Sequence, residues 1–197
     1  MKNGTGLVAG QNFVDIVELK ESGKKFVLEK SARIDIAEDG KPPSPDKRDE
    51  LTQKAIRDAF KKSKAKSNNV VVGLAGSHAI VRRFRTVYVP KEQRQEAVKF
   101  EAQRYIPFKL DEIMSDFSVV AEAPDKNTMD ALFIGANKNE VEKFTANFPK
   151  AGVKPSILSI EPMAIARLLK VCGAVEPDDN AAVVYVDEDR SGFIVML

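Results

Sequence analysis

Three apolar runs separated only by short turn clusters open this chain, with no helical pattern among them. Residues 7–19 read LVAGQNFVDIVEL, and Gly10-Gln11-Asn12 punctuates them as the turn of a β-hairpin. In the second run Phe13, Ile16 and Leu19 mix with Val14 and Val17, so both faces are expected to be partly buried. After Ser22-Gly23 the run FVLEKSARIDI, residues 26–36, reads as a third strand. The fold must therefore begin as a meander.

The later segments alternate helix and strand. A loop at 37–50 holds three prolines and a glycine. A helix at about 48–65 follows, with Leu51, Ala55, Ile56, Ala59 and Phe60 on one face. Lys61, Lys62, Lys64 and Lys66 lie near its end, where the helix dipole favours cations. Strands at 70–74 and 79–89 flank the turn Ala75-Gly76-Ser77, and Pro90 closes the second. A helix at 91–106 stops ahead of Pro107, because proline disfavours a helical residue before it. Strands at 116–122 and 129–136, a helix at 139–148, a strand at 154–159 and a helix at 162–171 come next. Two strands in 181–197 surround a turn at 188–192. The order βββ-α-ββ-α-ββ-α-β-α-ββ predicts an α/β (mixed α+β) layered fold.

Size and charge narrow the function. A chain of 197 residues holds one large domain or two small ones and buries about 70% of its unfolded surface. Its 31 basic and 29 acidic residues leave a net charge of +2, against a dedicated nucleic-acid binder. The single cysteine, Cys172, excludes an internal disulfide and suits a reducing compartment. The opening MKNGTGLVAG lacks a signal-peptide core, and no run approaches the roughly 18 apolar residues of a membrane span. A soluble, cytoplasmic chain is expected, reaching a membrane only through a partner.

No catalytic residue is expected. His78 is the only histidine and reads as a turn or strand-start residue. There is no GxSxG elbow, no Cys/His set with metal spacing and no Walker-type loop. Cys172, between a helix and Gly173, reads as a packed or loop thiol. Two strand-turn-strand segments, at Gly10-Gln11-Asn12 and in VDEDRSGF (186–193), have the form that cradles phosphate on backbone N–H groups. They also read as ordinary hairpin turns, and Asp187, Glu188 and Asp189 repel phosphate unless a metal neutralises them. Arg82, Arg83 and Arg85 crowd one strand, either as charge guarding a sheet edge or as readers of an acidic peptide or lipid head group. Phe84, Tyr88, Tyr105, Pro107 and Phe108 are expected in the core, and an exposed subset would mark a peptide groove.

The block FEAQRYIPFKLDEIMSDFSVV, residues 100–120, carries a family likeness. Glu101, Tyr105, Ile106, Pro107, Phe108, Asp111, Glu112 and Asp116 stand where the PilM family of type IV pilus assembly proteins has a helix, Tyr-Ile-Pro-Phe, an acidic stretch and a strand. IVELK, AEDGK, KSNNVVVGLAGSHAIVRRFRTVYVP and AGVKPSILSIEPMAIARLL follow in the same order, so the chain resembles that family over about 6–197. The resemblance implies an actin-like (ribonuclease H-like) fold with a PilM/FtsA-type inserted subdomain. It implies a first actin-like subdomain in 1–69, the insert in 70–150, and a return to the core with the start of a second half in 151–197.

In such a fold Gly10, Gln11, Asn12 and Asp187 would face ATP. This sequence departs from the pattern twice. Val8 replaces the aspartate two residues before the first glycine, and Asp189 replaces the glycine of the second turn. The chain also stops at Leu197, before the family's second half, and its last five residues, FIVML, are expected to be buried, covered by a partner, or the mark of a fragment. No cofactor is therefore expected, with ATP and Mg as the alternative. The resemblance implies a non-enzymatic scaffold on the cytoplasmic face of the inner membrane. It would bind the N-terminal cytoplasmic peptide of a PilN-like membrane protein, in a groove between the first subdomain and the insert. Arg83, Arg85, Tyr105 and Phe108 are the expected peptide contacts. Other pilus platform proteins and self-association complete the expected partners. The alternatives are an actin-like ATP-binding protein whose site another chain completes, and the cytoplasmic scaffold of a type II secretion system.

Overall fold

The computed structural model describes residues 3–23, 25–37, 40–66, 68–107, 109–176, 179–187 and 191–196. The chain divides into two compact units, residues 1–76 with 145–197, and residues 77–144.

The larger unit is built on the opening meander. Strands β1 (Asn3–Ala9), β2 (Phe13–Ser22) and β3 (Lys25–Asp35) pair antiparallel in sequence order. Strand β4 (Val70–Leu74) then joins β1 in parallel, and β8 (Pro155–Ile160) joins β4 in parallel. The sheet order is β3-β2-β1-β4-β8. β4 thus belongs to the larger sheet, and the second compact unit begins at residue 77. Leu7 lies opposite Ile16 on β2 and Val72 on β4, and all three are buried in one row across the sheet. Each such side chain contributes roughly 2 kcal/mol of hydrophobic stabilisation.

Helix α1 (Pro45–Ser63) packs over β2 and β3 through buried Ala55, Ile56 and Ala59. It starts inside the segment read as a loop to residue 50. Pro45 takes the first helical turn, where a missing N–H loses no helical bond. The helix ends at Lys64, whose left-handed backbone (φ 55°) lets its N–H reach the Phe60 carbonyl at 2.9 Å. Lys62 Nζ donates to the Arg33 carbonyl and Lys30 Nζ to the Lys64 carbonyl, so α1 runs opposite to β3 and ends level with Lys30. Residues 25–29 of β3 extend past the helix and are all exposed.

One carboxylate ties this region together. Glu18 on β2 is only 2% exposed. It accepts from the Lys66 backbone N–H at 2.8 Å, Asn3 Nδ2 at 3.0 Å and Lys30 Nζ at 3.4 Å. The Lys66 N–H holds its pKa below the ordinary carboxylate value, aided by Asn3 and Lys30 against the opposing effect of burial.

The smaller unit is a second sheet. Strands β5 (Ala79–Val87), β6 (Ile113–Ala123) and β7 (Thr128–Asn137) run antiparallel in the order β5-β7-β6. Helix α2 (Arg94–Ala102) covers one face, where Phe84, Val98, Ala102, Ile106, Met129, Ala131 and Phe133 form the core. The helix is shorter than the expected 91–106. Past Ala102 the N–H groups of Arg104 and Tyr105 bond three residues back, to Glu101 and Ala102, so the chain tightens into turns before Pro107.

The single helix expected at 139–148 is two, α3 (Lys138–Thr145) and α4 (Asn147–Lys150). Pro149 has no N–H to bond back to residue 145, and it sits in the first turn of the new helix. Helix α5 (Glu161–Val171) packs on β4, β8 and β10. Strands β9 (Ala181–Val186) and β10 (Ser191–Met196) pair antiparallel in a sheet of their own. Residues 193–196 of the apolar terminal run are thus in a paired strand, with Met196 buried and Phe193 and Val195 exposed.

Candidate functional site

The arginines on β5 obey strand alternation. Arg83 and Arg85 share one face of the smaller sheet, and Phe84 between them points to the core under α2. Asp130 lies opposite Arg85 on β7. Arg85 Nε donates to Asp130 Oδ1 at 2.8 Å and Arg83 Nη2 donates to Oδ2 at 3.1 Å. Arg85 lowers the pKa of the Asp130 carboxyl, with Arg83 adding to it, and Asp130 in turn raises that of Arg85. Both arginines stay largely exposed, so this clamp is screened by water and readily exchanged. Among the described residues strand β5 pairs only with β7 and is a sheet edge carrying positive charge.

Tyr105 lies on the other face. Its ring stacks on Phe84 with centroids 5.4 Å apart and planes 9° from parallel, and its outer side is exposed. The four expected peptide residues therefore do not form one cluster: Arg83 and Arg85 flank Asp130, Tyr105 lies across the strand, and Phe108 lies outside the described residues.

A groove runs between the end of β5 and α2, with a volume of about 400 Å³. Arg85 and Val87 form one wall, Ala97, Phe100, Glu101 and Arg104 the other. Phe100 is 71% exposed. Arg104 pairs with Glu101 at 3.2 Å, a bond as exchangeable as that of Arg85. Arg94 fixes α2 to the sheet through two 2.9 Å bonds to Glu122, with its guanidinium 5.9 Å from the Tyr88 ring centre. The groove thus presents Phe100 and Val87 as apolar surface and Arg85 and Arg104 as cations.

Phe100 and Arg104 were not singled out from sequence. The buried phase of α2 runs through Val98 and Ala102, and a phenylalanine two residues off that phase was the available signal. His78 is exposed and lines a second hollow of about 210 Å³ with Ile80, Ile106, Ile113, Gly135 and Glu140. Cys172 is exposed just past α5.

The first turn is closed by its own backbone. The Gly10 N–H is spent on the Phe13 carbonyl at 2.9 Å. The Asn12 carbonyl accepts from Ile36 and Ala37, and Gln11 faces solvent. A Cβ on Gly10 would meet the Phe13 carbonyl and ring at ordinary contact distance. In the second turn Asp187 is half-buried, while 188–190, including Asp189, lie outside the described residues. Gly192, expected at the end of that turn, stands in β10 beneath the Tyr185 ring, where a Cβ would overlap it. Tyr185 Oη donates to Glu161 Oε2 at 3.3 Å, and the Gly76 N–H reaches the same oxygen at 3.4 Å. Among the described residues no helix is long and apolar enough to cross a membrane.

The fold has solved relatives. The PilM–PilN type IV pilus biogenesis complex aligns with 98% of this chain and 57% of its own, at TM-score 0.81 and 21% identity. The cytoplasmic domain of EpsL, an inner membrane component of the type II secretion system of Vibrio cholerae, aligns over 99% of this chain and 71% of its own, at TM-score 0.57 and 13% identity. The mixed α/β, actin-like class expected from sequence is the fold these relatives share with the chain. This chain spans a little over half of the PilM chain it matches. The family model of the type IV pilus assembly protein PilM matches residues 6–188, and the chain belongs to that family.

Proposed function

We propose that the chain is a non-catalytic scaffold of a type IV pilus inner-membrane platform. It binds the N-terminal cytoplasmic peptide of a PilN-like membrane protein and sits on the cytoplasmic side of that membrane through its partner. The observation that carries this reading is the likeness, over 98% of the chain, to the PilM–PilN complex. Residues 77–144 are taken as the inserted subdomain and the larger unit as the actin-like part.

The peptide is assigned to the groove between β5 and α2. An extended segment there has the free edge of β5 for main-chain hydrogen bonds, Phe100 for an apolar anchor, and Arg85 and Arg104 for a carboxylate or carbonyl. On binding, Arg83 keeps Asp130 while Arg85 exchanges its 2.8 Å bond to Asp130 for the peptide, and Tyr105 props Phe84 beneath the strand. The closed first turn supports a reading without nucleotide. A higher melting temperature in ATP and Mg²⁺ would overturn that part alone. The type II secretion reading draws on EpsL, whose likeness is weaker at 0.57 against 0.81.

The test is a fluorescence-anisotropy titration of this chain with the labelled N-terminal peptide of the PilN-like protein from the same genome. Saturable binding with Kd below roughly 100 μM is expected. A wild-type chain that leaves the peptide free throughout removes the proposal. Undiminished binding by the Phe100→Ala, Arg104→Ala double variant removes the groove assignment.

A further inference from the structure

The far half of β3 is an uncovered sheet edge that follows a bulge at Glu29. Among the described residues, 25–29, KFVLE, lie beyond the end of α1 and pair only with β2. Phe26, Val27 and Leu28 are 50%, 46% and 58% exposed, three consecutive large apolar side chains on one edge. Leu19 lies opposite Leu28 on β2 and is also exposed, so Leu19, Phe26 and Leu28 make an apolar patch on one face of the ribbon. On the other face Val27 sits among charges, with Lys20 3.9 Å from Glu29. An open edge of this composition is a template for another strand.

The sequence of the edge says which strand. Laid antiparallel against itself about Val27, it places Val27 opposite Val27, Phe26 opposite Leu28, and Lys25 opposite Glu29. Every described position from 25 to 29 meets an apolar or an oppositely charged residue. A two-fold axis demands this self-complementarity of one patch meeting its own copy. Phe26 and Leu28 of one copy then continue the patch of Leu19, Leu28 and Phe26 of the other. Each Glu29 gains the second copy's Lys25 beside its own Lys20.

We propose that two copies of this chain associate through antiparallel pairing of their β3 edges, centred on Val27, to form one continuous sheet. The contact is short, so the pairing is reversible and depends on concentration.

Sedimentation equilibrium of the whole chain at roughly 10 to 500 μM, the range in which small interfaces associate, reads the pairing directly. The wild-type chain is expected to move from monomer to dimer over this range. Glu29→Lys alone and Lys25→Glu alone each set like charges opposite at two symmetric places, and association weakens by at least about tenfold. Mixing the two single variants restores dimers, because each supplies the charge the other lacks. The Lys25→Glu, Glu29→Lys double variant dimerises by itself. A circular-dichroism melt of each variant separates loss of pairing from loss of fold. A wild-type chain that stays monomeric throughout overturns the proposal and leaves this edge to a different chain. A dimer untouched by either single reversal overturns it equally. As an independent check, Val27→Cys in a Cys172→Ser background is expected to give a disulfide dimer on mild oxidation, and Val87→Cys in the same background is not.

Discussion

The β3 edge and the β5 edge are each tied to a neighbouring strand through acidic residues, and two of these acids, Glu18 and Asp130, differ in burial. Glu18 is enclosed and satisfied by a backbone N–H, an amide and Lys30, so it belongs to the structure. Asp130, with 14% of its side chain exposed, faces two arginines that are 45% and 70% exposed. The first arrangement fixes β3 and leaves its tip neutral enough to pair with itself. The second leaves β5 positively charged, which opposes self-pairing and favours a partner bearing carboxylates. A buried acid builds an edge, and an exposed clamp keeps one available.

Substitution of the two acids tests the contrast most strongly. Glu18→Ala removes the common acceptor of three donors and should destabilise the larger unit by about 3 kcal/mol in urea unfolding. Asp130→Ala should leave the melting temperature near that of the wild-type chain and change peptide affinity instead. Similar unfolding losses for both would break the comparison.

Gly192→Ala probes the larger unit away from either edge. Its methyl group must displace the Tyr185 ring and strain the bond to Glu161, at about 1–3 kcal/mol in thermal or chemical unfolding. A neutral result would mean that β9 and β10 give way easily.

Binding comes next. Phe100→Ala should weaken the PilN-type peptide by about tenfold without changing stability, because the side chain is largely exposed. Tyr105→Ala should lose about 1 kcal/mol of stability through the stack on Phe84, measured by unfolding.

Acid gives the smallest and most specific contrast. The native pKa of Glu18 lies below its unfolded value, so its contribution is present above the ordinary carboxylate range and fades as pH falls through the lowered native value. Asp130 carries the same sign. Unfolding free energies between about pH 5 and pH 2 should therefore fall less steeply in Glu18→Gln than in the wild-type chain.

Much of the architecture could be read from the residues. The meander followed from Gly10-Gln11-Asn12 and Ser22-Gly23 between apolar runs, and α1 from the spacing of Ala55, Ile56 and Ala59. Its start was missed because Pro45 reads as a breaker everywhere except the first turn. The site was less legible. Alternation alone separates Arg83 and Arg85 from Phe84, but Asp130 comes from a strand some forty-five residues later, and no local pattern announces that meeting. Nothing local marks Glu18 within IVELK as buried, because its partner is the backbone at Lys66. Pairings across distant segments decide both, and periodicity carries no record of them.

The ladder of the smaller sheet has a further consequence. Ala79, where the chain enters that sheet, is the register partner of Ala136, one residue from where β7 ends. Ladder partners lie about 5 Å apart, a gap that a very short peptide bridges. A gene could therefore acquire, lose or exchange residues 79–136 as a cassette, with the two cut ends already side by side.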